Sequence, residues 1–122
     1  MIAIGICDDD PQFIEELKIA IEESIQTVTD WQVRIYRSGR EVISAMERGV
    51  FDCTLLFTDI FMEHTDGITV ARYIQEHQVD TDLIFITNVK DYVFECYHYN
   101  TFAYLLKPLP QTAPLSAGRS GW

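Results

Sequence analysis

The stretch IAIGICDDDPQF, residues 2–13, decides the fold and raises a question of charge. Its first six residues form a nearly continuous apolar run, which is typical of a strand covered on both faces of a sheet. Asp8, Asp9 and Asp10 follow without a break, and Pro11 comes directly after them. Asp10 can cap a helix whose first turn accepts Pro11. Apolar residues then recur at helical spacing, namely Phe13, Leu17, Ile21, Ile25 and Val28.

Four further segments are predicted to be strands. Residues 31–36 alternate apolar and polar side chains, which indicates a half-exposed strand. The apolar runs at 53–57, 83–87 and 102–106 indicate buried strands. The first of these runs leads to Asp59, so a second strand ends in a carboxylate.

Helices are predicted between these strands. Ser38 and Glu41 form a capping box at the start of a second helix, and Asp66 can cap a third. Residues 91–99 indicate a fourth. Strands that alternate with helices imply a parallel sheet with right-handed crossovers, because each helix must cover one sheet face. The expected fold class is therefore α/β, with a doubly wound sheet of five strands.

Length, composition and charge restrict the function classes. The chain has 122 residues, of which 48% are hydrophobic, and this fits one globular domain. Its net charge of −10 disfavours binding of this chain alone to nucleic acid or to an anionic membrane. The sequence shows neither a leader nor an apolar run of the roughly 20 residues that span a bilayer, so we expect a cytoplasmic protein. Three widely spaced cysteines, Cys7, Cys53 and Cys96, suit buried, reduced thiols.

Polar residues stand at the carboxyl ends of the predicted buried strands, where doubly wound folds place their functional crevice. These residues are Asp8, Asp9, Asp59, Thr87 and Lys107. Three carboxylates at one crevice would repel each other unless a cation lay between them. Mg²⁺ takes oxygen ligands and is commonly held by one or two carboxylates together with a phosphate. The pattern therefore predicts a magnesium site that is completed by a phosphoryl group.

A carboxylate can itself be the nucleophile and form an acyl phosphate. Asp59 stands alone after its strand and is the best candidate, whereas the adjacent Asp8 and Asp9 are better placed to hold the metal. Lys107 supplies a point charge for one phosphoryl oxygen, and the Thr87 hydroxyl supplies a donor for another.

At these residues the sequence resembles the receiver domain of bacterial two-component response regulators. The resemblance covers residues 1–109 and implies a flavodoxin-like sheet with strand order 2-1-3-4-5. It makes Asp59 the phosphoacceptor and Phe61 the source of a backbone carbonyl that binds Mg²⁺. Glu63 stands where the family usually has a proline. The other matching positions are the acidic pair Asp8 and Asp9, the switch residues Thr87 and Tyr104, and Lys107 before Pro108.

The resemblance also implies a function. A sensor histidine kinase would phosphorylate Asp59, and the face formed by helix four and strand five would then switch and could support a homodimer. Such a domain is regulatory and catalyses only its own phosphorylation and dephosphorylation. The phrases ICDDDP, YRSG and FAYLLKP are most similar to receivers that precede a LytTR-type domain, so DNA would be bound only through an output domain absent from these residues.

Two other functions compete with this interpretation. The first is an interaction-only receiver that never takes a phosphoryl group, which the complete set of phosphorylation residues disfavours. The second is a phosphotransferase or phosphatase of another doubly wound family. A phosphatase similar to the haloacid dehalogenases would require a second aspartate where Phe61 stands. The sequence also lacks a glycine-rich phosphate loop.

The end of the chain departs from the receiver pattern. After Pro108 the sequence reads LPQTAPLSAGRSGW, and Pro110 and Pro114 disfavour the fifth helix that receivers normally have. We therefore predict a receiver domain over residues 1–109 and an irregular or non-native tail over 110–122. Two explanations are open, an engineered or shifted end that replaces the helix and an irregular segment that still packs. Composition favours the first, which predicts a mobile tail.

Overall fold

A computed structural model shows how these segments assemble. The structure describes residues 2–27, 30–60, 62, 67–87 and 103–107. Within these ranges, Thr87 and Tyr104 are described by their backbone alone.

Several expectations concern residues outside these ranges. They include the Phe61 carbonyl as a metal ligand, the Asp66 cap, the helix at 91–99 and the irregular tail at 110–122. These stay predictions, as does the domain boundary at residue 109.

The described residues form one parallel sheet of five strands, with the order β2-β1-β3-β4-β5. This order confirms the doubly wound, flavodoxin-like fold expected from the sequence. The strands are β1 (Ile2–Cys7), β2 (Trp31–Tyr36), β3 (Leu55–Asp59), β4 (Asp82–Thr87) and β5 (Ala103–Leu106).

The strand register brings the carboxyl ends to one edge of the sheet. Cys7, the last residue of β1, pairs with Thr58 of β3, so Asp8 follows beside Asp59. Thr87, the last residue of β4, pairs with Leu106, the last residue of β5. Lys107 therefore leaves the sheet at the same edge as the aspartates.

Within the described ranges, three helices cover this sheet, α1 (Pro11–Ser24), α2 (Gly39–Glu47) and α3 (Gly67–His77). The Asp10 side chain accepts from the Gln12 N–H at 3.0 Å, which confirms it as the cap of α1. The Ser38 hydroxyl accepts from the Glu41 N–H at 3.3 Å, as expected for α2. The Glu41 carboxylate reaches the Arg37 N–H instead of the Ser38 N–H, so the capping box closes one residue earlier than predicted.

The described part of the core divides into two apolar clusters, because successive residues of a strand point to opposite faces of the sheet. On the α1 face, the buried members are Ile4, Ile6, Phe13, Ile14, Leu17, Ile21, Phe57, Ile84, Ile86 and Leu105. The other cluster joins the sheet to α2 and α3, and its buried members are Cys7, Val42, Leu56, Ile60, Ile68, Val70, Ala71, Leu83 and Phe85.

The structure corrects three predicted boundaries, one of which is the start of β4, at Asp82 and not at Leu83. Helix α1 ends at Ser24, and Ile25 is its C-cap with φ −122°, so the apolar spacing predicted too long a helix. Strand β3 begins at Leu55, two residues later than the apolar run suggested. Cys53 nevertheless stays buried at 2% exposure, because the Thr54 N–H donates to the Ala3 carbonyl at 2.8 Å and holds the chain against β1.

Two other features bear on the sequence analysis. Cys7 and Cys53 are free and buried, as predicted, and Cys96 lies outside the described residues. Within the described part of the chain, no helix is long and apolar enough to cross a bilayer.

Candidate functional site

Three carboxylates and one ammonium meet at the carboxyl edge of the sheet, and we call Asp8, Asp9, Asp59 and Lys107 the acidic site. One carboxylate oxygen from each aspartate lies within 4.8 Å of the others. Asp8 is 1% exposed and Asp59 is 8% exposed, whereas Asp9 is open to solvent. The structure thus brings together the aspartates that the sequence proposed as metal ligands.

The turn after β1 fixes the Asp8 side chain. One oxygen, Oδ1, accepts from the Asp10 N–H at 2.9 Å, and the other, Oδ2, accepts from Lys107 Nζ at 2.9 Å. Asp10 in turn caps α1 through its own side chain. The run of three aspartates therefore divides into a buried member that is held in place, an exposed member and a helix cap.

Lys107 bridges the two buried carboxylates. Its Nζ also donates to Asp59 Oδ2 at 3.2 Å, and its side chain is 18% exposed. Partial burial lowers the pKa of the Lys107 ammonium, but the hydrogen bonds and charges of Asp8 and Asp59 outweigh it and raise the pKa above its ordinary value. The lysine is therefore a fixed positive charge within hydrogen-bond reach of the candidate nucleophile.

The donor set fits a hard divalent cation. Three carboxylates face one ammonium, so the acidic site carries excess negative charge when all three are ionised, and two of its carboxylates are largely buried. Carboxylate oxygens are the ligands that Mg²⁺ prefers, and the exposed side at Asp9 leaves room for water or phosphate ligands. Asp8, Asp9 and Asp59 are the residues that would hold the ion.

The backbone of Gly67 packs closely against the backbone of Asp59 and Ile60. The Gly67 N–H donates to the Ile60 carbonyl at 2.8 Å, which sets the start of α3 against the end of β3. A Cβ atom at position 67 would lie 2.3 Å from the Asp59 carbonyl oxygen, so a side chain there would clash with backbone. The Thr58 hydroxyl donates to the same oxygen at 3.1 Å.

The two residues predicted to act as a switch occupy the expected strands. Thr87 ends β4 at the edge that carries the acidic site, and Tyr104 lies within β5 and pairs with Phe85. Their side-chain roles remain predictions. The same holds for the Phe61 carbonyl, because Phe61 is outside the described residues.

A thiol beside the site does not add a nucleophile. Cys7 Sγ lies 3.5 Å from the Met62 sulfur and is 1% exposed. Burial raises the pKa of Cys7 to about 12, so the thiol stays protonated at neutral pH. Asp59 is therefore the better nucleophile at this edge.

The sequence analysis missed one residue that contacts the acidic site. Phe13 was predicted only as an apolar position of α1, yet Lys107 Nζ lies 4.2 Å from the centroid of its ring. The signal that could have located it is its place in the first turn of α1, because that turn begins at the same sheet edge as Asp8.

Comparisons with known proteins agree on one family. A family model described as the response regulator receiver domain matches residues 4–117. The transcriptional regulatory protein NatR of Bacillus subtilis is 32% identical over 108 residues, which cover 88% of this chain. Those residues make up 44% of NatR, so the chain spans less than half the length of this relative.

Solved structures share the fold. The response regulatory domain of mrkE from Klebsiella pneumoniae has a TM-score of 0.76 at 21% identity, over 98% of this chain and 94% of that one. The response regulator TrrA from Thermotoga maritima, in complex with Mg²⁺ and BeF, has a TM-score of 0.75 at 23% identity, over 90% of each chain.

Proposed function

This chain belongs to the response regulator receiver domain family, and from that premise we propose that Asp59 accepts a phosphoryl group from a sensor histidine kinase. The domain then acts as a regulatory switch and not as an enzyme with an external product. Mg²⁺ is its cofactor, and Asp8, Asp9 and Asp59 are its carboxylate ligands.

One observation carries this proposal. Carboxylate oxygens of Asp8, Asp9 and Asp59 lie within 4.8 Å of one another, and Lys107 Nζ donates to two of these residues at 2.9 and 3.2 Å. A carboxylate nucleophile, a hard-metal donor set and a fixed ammonium are the groups that phosphoryl transfer to aspartate requires. The structure of TrrA, which has the same fold, is a complex with Mg²⁺ and BeF, and this supports Mg²⁺ as the cofactor.

Different residues of the chain have different roles in the phosphoryl transfer. An Asp59 carboxylate oxygen forms a bond to phosphorus while the bond from phosphorus to the kinase histidine nitrogen breaks, and the imidazole leaves with the electron pair. Bound Mg²⁺ supplies positive charge to the phosphoryl oxygens. Lys107, whose Nζ lies 3.2 Å from Asp59 Oδ2, donates to one of these oxygens, and the Thr87 hydroxyl donates to another. These donors stabilise the negative charge that builds up on the phosphoryl group.

The proposed switch links this edge to a partner surface. Attraction of Thr87 to the phosphoryl group would free space for Tyr104, and the face formed by helix four and β5 would repack and support a homodimer. Such a change is a shift between two populated states.

The output of the switch is proposed to be transcription regulation in the cytoplasm. NatR is named as a transcriptional regulatory protein, and this chain matches only 44% of it, which leaves room for an output domain in a longer protein. The phrases ICDDDP, YRSG and FAYLLKP favour a LytTR-type output domain that would contact DNA.

A phosphate-incorporation assay tests the proposal. Wild-type protein incubated with acetyl phosphate and Mg²⁺ should gain the mass of one phosphoryl group, and Asp59→Asn should gain none. Asp52→Asn is the matched control, because Asp52 is an exposed acid paired with Arg34 away from the acidic site. Incorporation by Asp59→Asn equal to that of wild type would refute the assignment. A wild type that takes no phosphoryl group under these conditions would favour the interaction-only receiver.

A further inference from the structure

The Lys107 ammonium contacts an aromatic ring in addition to its two carboxylate partners. Its Nζ lies 4.2 Å from the centroid of the Phe13 ring, over the ring face. The same nitrogen donates to Asp8 and Asp59 at 2.9 and 3.2 Å. A cation within about 6 Å of a ring centroid is attracted by the negative face of the ring, and more strongly when water is excluded.

Phe13 is itself held firmly. It is 5% exposed and belongs to the apolar cluster between α1 and the sheet. It lies in the first turn of α1, whose start is fixed by the Asp10 cap, and Asp10 also donates its N–H to Asp8. The turn that orients the Asp8 carboxylate therefore also fixes the ring against which Lys107 lies.

We propose that Phe13 is a positioning residue that holds the Lys107 ammonium at the acidic site, where it donates to the phosphoryl group. A lysine side chain has a flexible four-carbon stem. When Asp59 reacts, the Lys107 ammonium must replace part of its hydrogen bonding to the Asp8 and Asp59 carboxylates with hydrogen bonds to phosphoryl oxygens. The ring attracts the ammonium through its face. This attraction does not depend on which oxygens, carboxylate or phosphoryl, accept the hydrogen bonds of the ammonium. It therefore keeps the ammonium in place while the acceptors change. The inference rests on the proposed function.

Kinetics with acetyl phosphate and Mg²⁺ test this role. Phe13→Leu keeps an apolar side chain but removes the ring, and it should slow acyl phosphate formation on Asp59 by about fivefold, within the range expected for a partly buried cation and ring. Phe13→Tyr restores the ring and should recover most of the rate. Ile21→Val is the matched control, because it trims the same apolar cluster further along α1, away from Lys107, and it should leave the rate unchanged.

A spectroscopic measurement tests the contact itself. The chain has three lysines, Lys18, Lys90 and Lys107. In ¹H–¹³C spectra of protein with labelled lysine, the ring current of Phe13 should shift the protons next to Lys107 Nζ upfield of those of Lys18. Loss of the signal in Lys107→Met assigns it. The upfield shift should disappear in Phe13→Leu and persist in Phe13→Tyr.

Three results would overturn the inference. One is a Lys107 signal with no upfield shift in the wild type, and another is a Phe13→Leu rate equal to that of the wild type. The third is an equal loss of rate in Phe13→Leu and Phe13→Tyr, which would assign Phe13 to packing alone. If the wild type takes no phosphoryl group, the proposed function fails, and the lysine spectrum alone then decides whether Phe13 positions the ammonium.

Discussion

At the scale of single residues, Lys107 offsets the negative charge of the acidic site. Asp8 and Asp59 are 1% and 8% exposed, and both accept a hydrogen bond from the Lys107 ammonium. Buried charges are costly to remove from water, and a charge that loses its partner keeps that cost without the compensating attraction. The lysine thus matters for stability as well as for the proposed chemistry.

We therefore expect Lys107→Met to lower the free energy of unfolding by about 3 kcal/mol in the absence of divalent cations, because the two buried carboxylates then lose the cation that they share and repel each other. Urea denaturation of the two proteins at neutral pH would measure the difference. Lys18→Met is the control, since it removes the same charge from α1 at a half-buried position outside the acidic site. Equal losses in the two variants would contradict the expectation.

The two described cysteines carry a second prediction at this scale. Burial raises the pKa of Cys7 to about 12 and that of Cys53 to about 11, from an ordinary value of 9.0. In a Cys96→Ser background, both thiols should react with a disulfide reagent at pH 8 only as fast as the protein unfolds. They should react at once in concentrated guanidinium. Rapid reaction of either thiol in native buffer would show that the structure around that thiol opens without global unfolding.

The same shifts predict a dependence of stability on pH. Because the pKa values of Cys7 and Cys53 are raised in the folded state, both states hold neutral thiols below pH 9.0 and the full contribution to stability is present there. As the pH rises toward 11 and 12, the unfolded state loses these protons first, and the contribution is progressively lost. Urea denaturation between pH 8 and pH 11 would measure this decline.

At the scale of elements, α2 and α3 end in the same way with different residues. After α2, the Gly49 N–H donates to the Met46 carbonyl and φ at Gly49 is 72°. After α3, the Gln78 N–H donates to the Gln75 carbonyl and φ at Gln78 is 52°. Both ends follow the Schellman pattern, in which glycine adopts the left-handed backbone at no steric cost. Gln78 retains a Cβ atom where the conformation disfavours one.

Replacement of Gln78 by glycine should therefore stabilise the protein by about 0.5 to 1 kcal/mol, because the steric cost of the left-handed backbone disappears. Gln78→Ala keeps the Cβ atom and should leave stability nearly unchanged. Thermal and urea unfolding of the two variants would measure the comparison. A gain in Gln78→Ala as large as that in Gln78→Gly would show that the glutamine side chain, and not the backbone, is the source of strain.

The elements were largely predictable because local patterns determine them. The alternation at 31–36 gave β2 with its observed bounds, and the caps Asp10 and Ser38 located the starts of α1 and α2. The predicted end of α1 was wrong, because the apolar spacing continues through Ile25 although the helix ends at Ser24. Periodicity records which residues are apolar and does not show where the backbone leaves the helix.

The acidic site was predictable in its members and not in its contacts. Parallel strands of known order place their carboxyl ends at one edge, so Asp8, Asp59 and Lys107 could be grouped from sequence. The bond of Lys107 to Asp8 joins residues 99 positions apart, and its ring contact with Phe13 depends on how α1 packs on the sheet. Contacts of this kind follow from tertiary packing, which no local pattern encodes.

At the scale of the whole molecule, the net charge of −10 works together with the acidic site. Self-repulsion at this charge opposes the compact state, so any salt that screens it should stabilise the fold to some extent. A site that binds a divalent cation only when folded adds a separate stabilisation, which depends on the concentration of that cation. The two effects can be separated at equal ionic strength.

Magnesium chloride should therefore stabilise the protein more than sodium chloride of the same ionic strength. The excess should approach about 2.7 kcal/mol when free Mg²⁺ is about 100 times its Kd, provided the unfolded chain does not bind it. Asp9→Asn removes the exposed carboxylate of the acidic site and should reduce this excess, while Asp30→Asn removes an exposed acid elsewhere and should preserve it. Urea unfolding in matched salts would measure both. If the excess is absent from the wild type, or equal in Asp9→Asn, the negative charge of the whole chain and not the acidic site accounts for the response to magnesium.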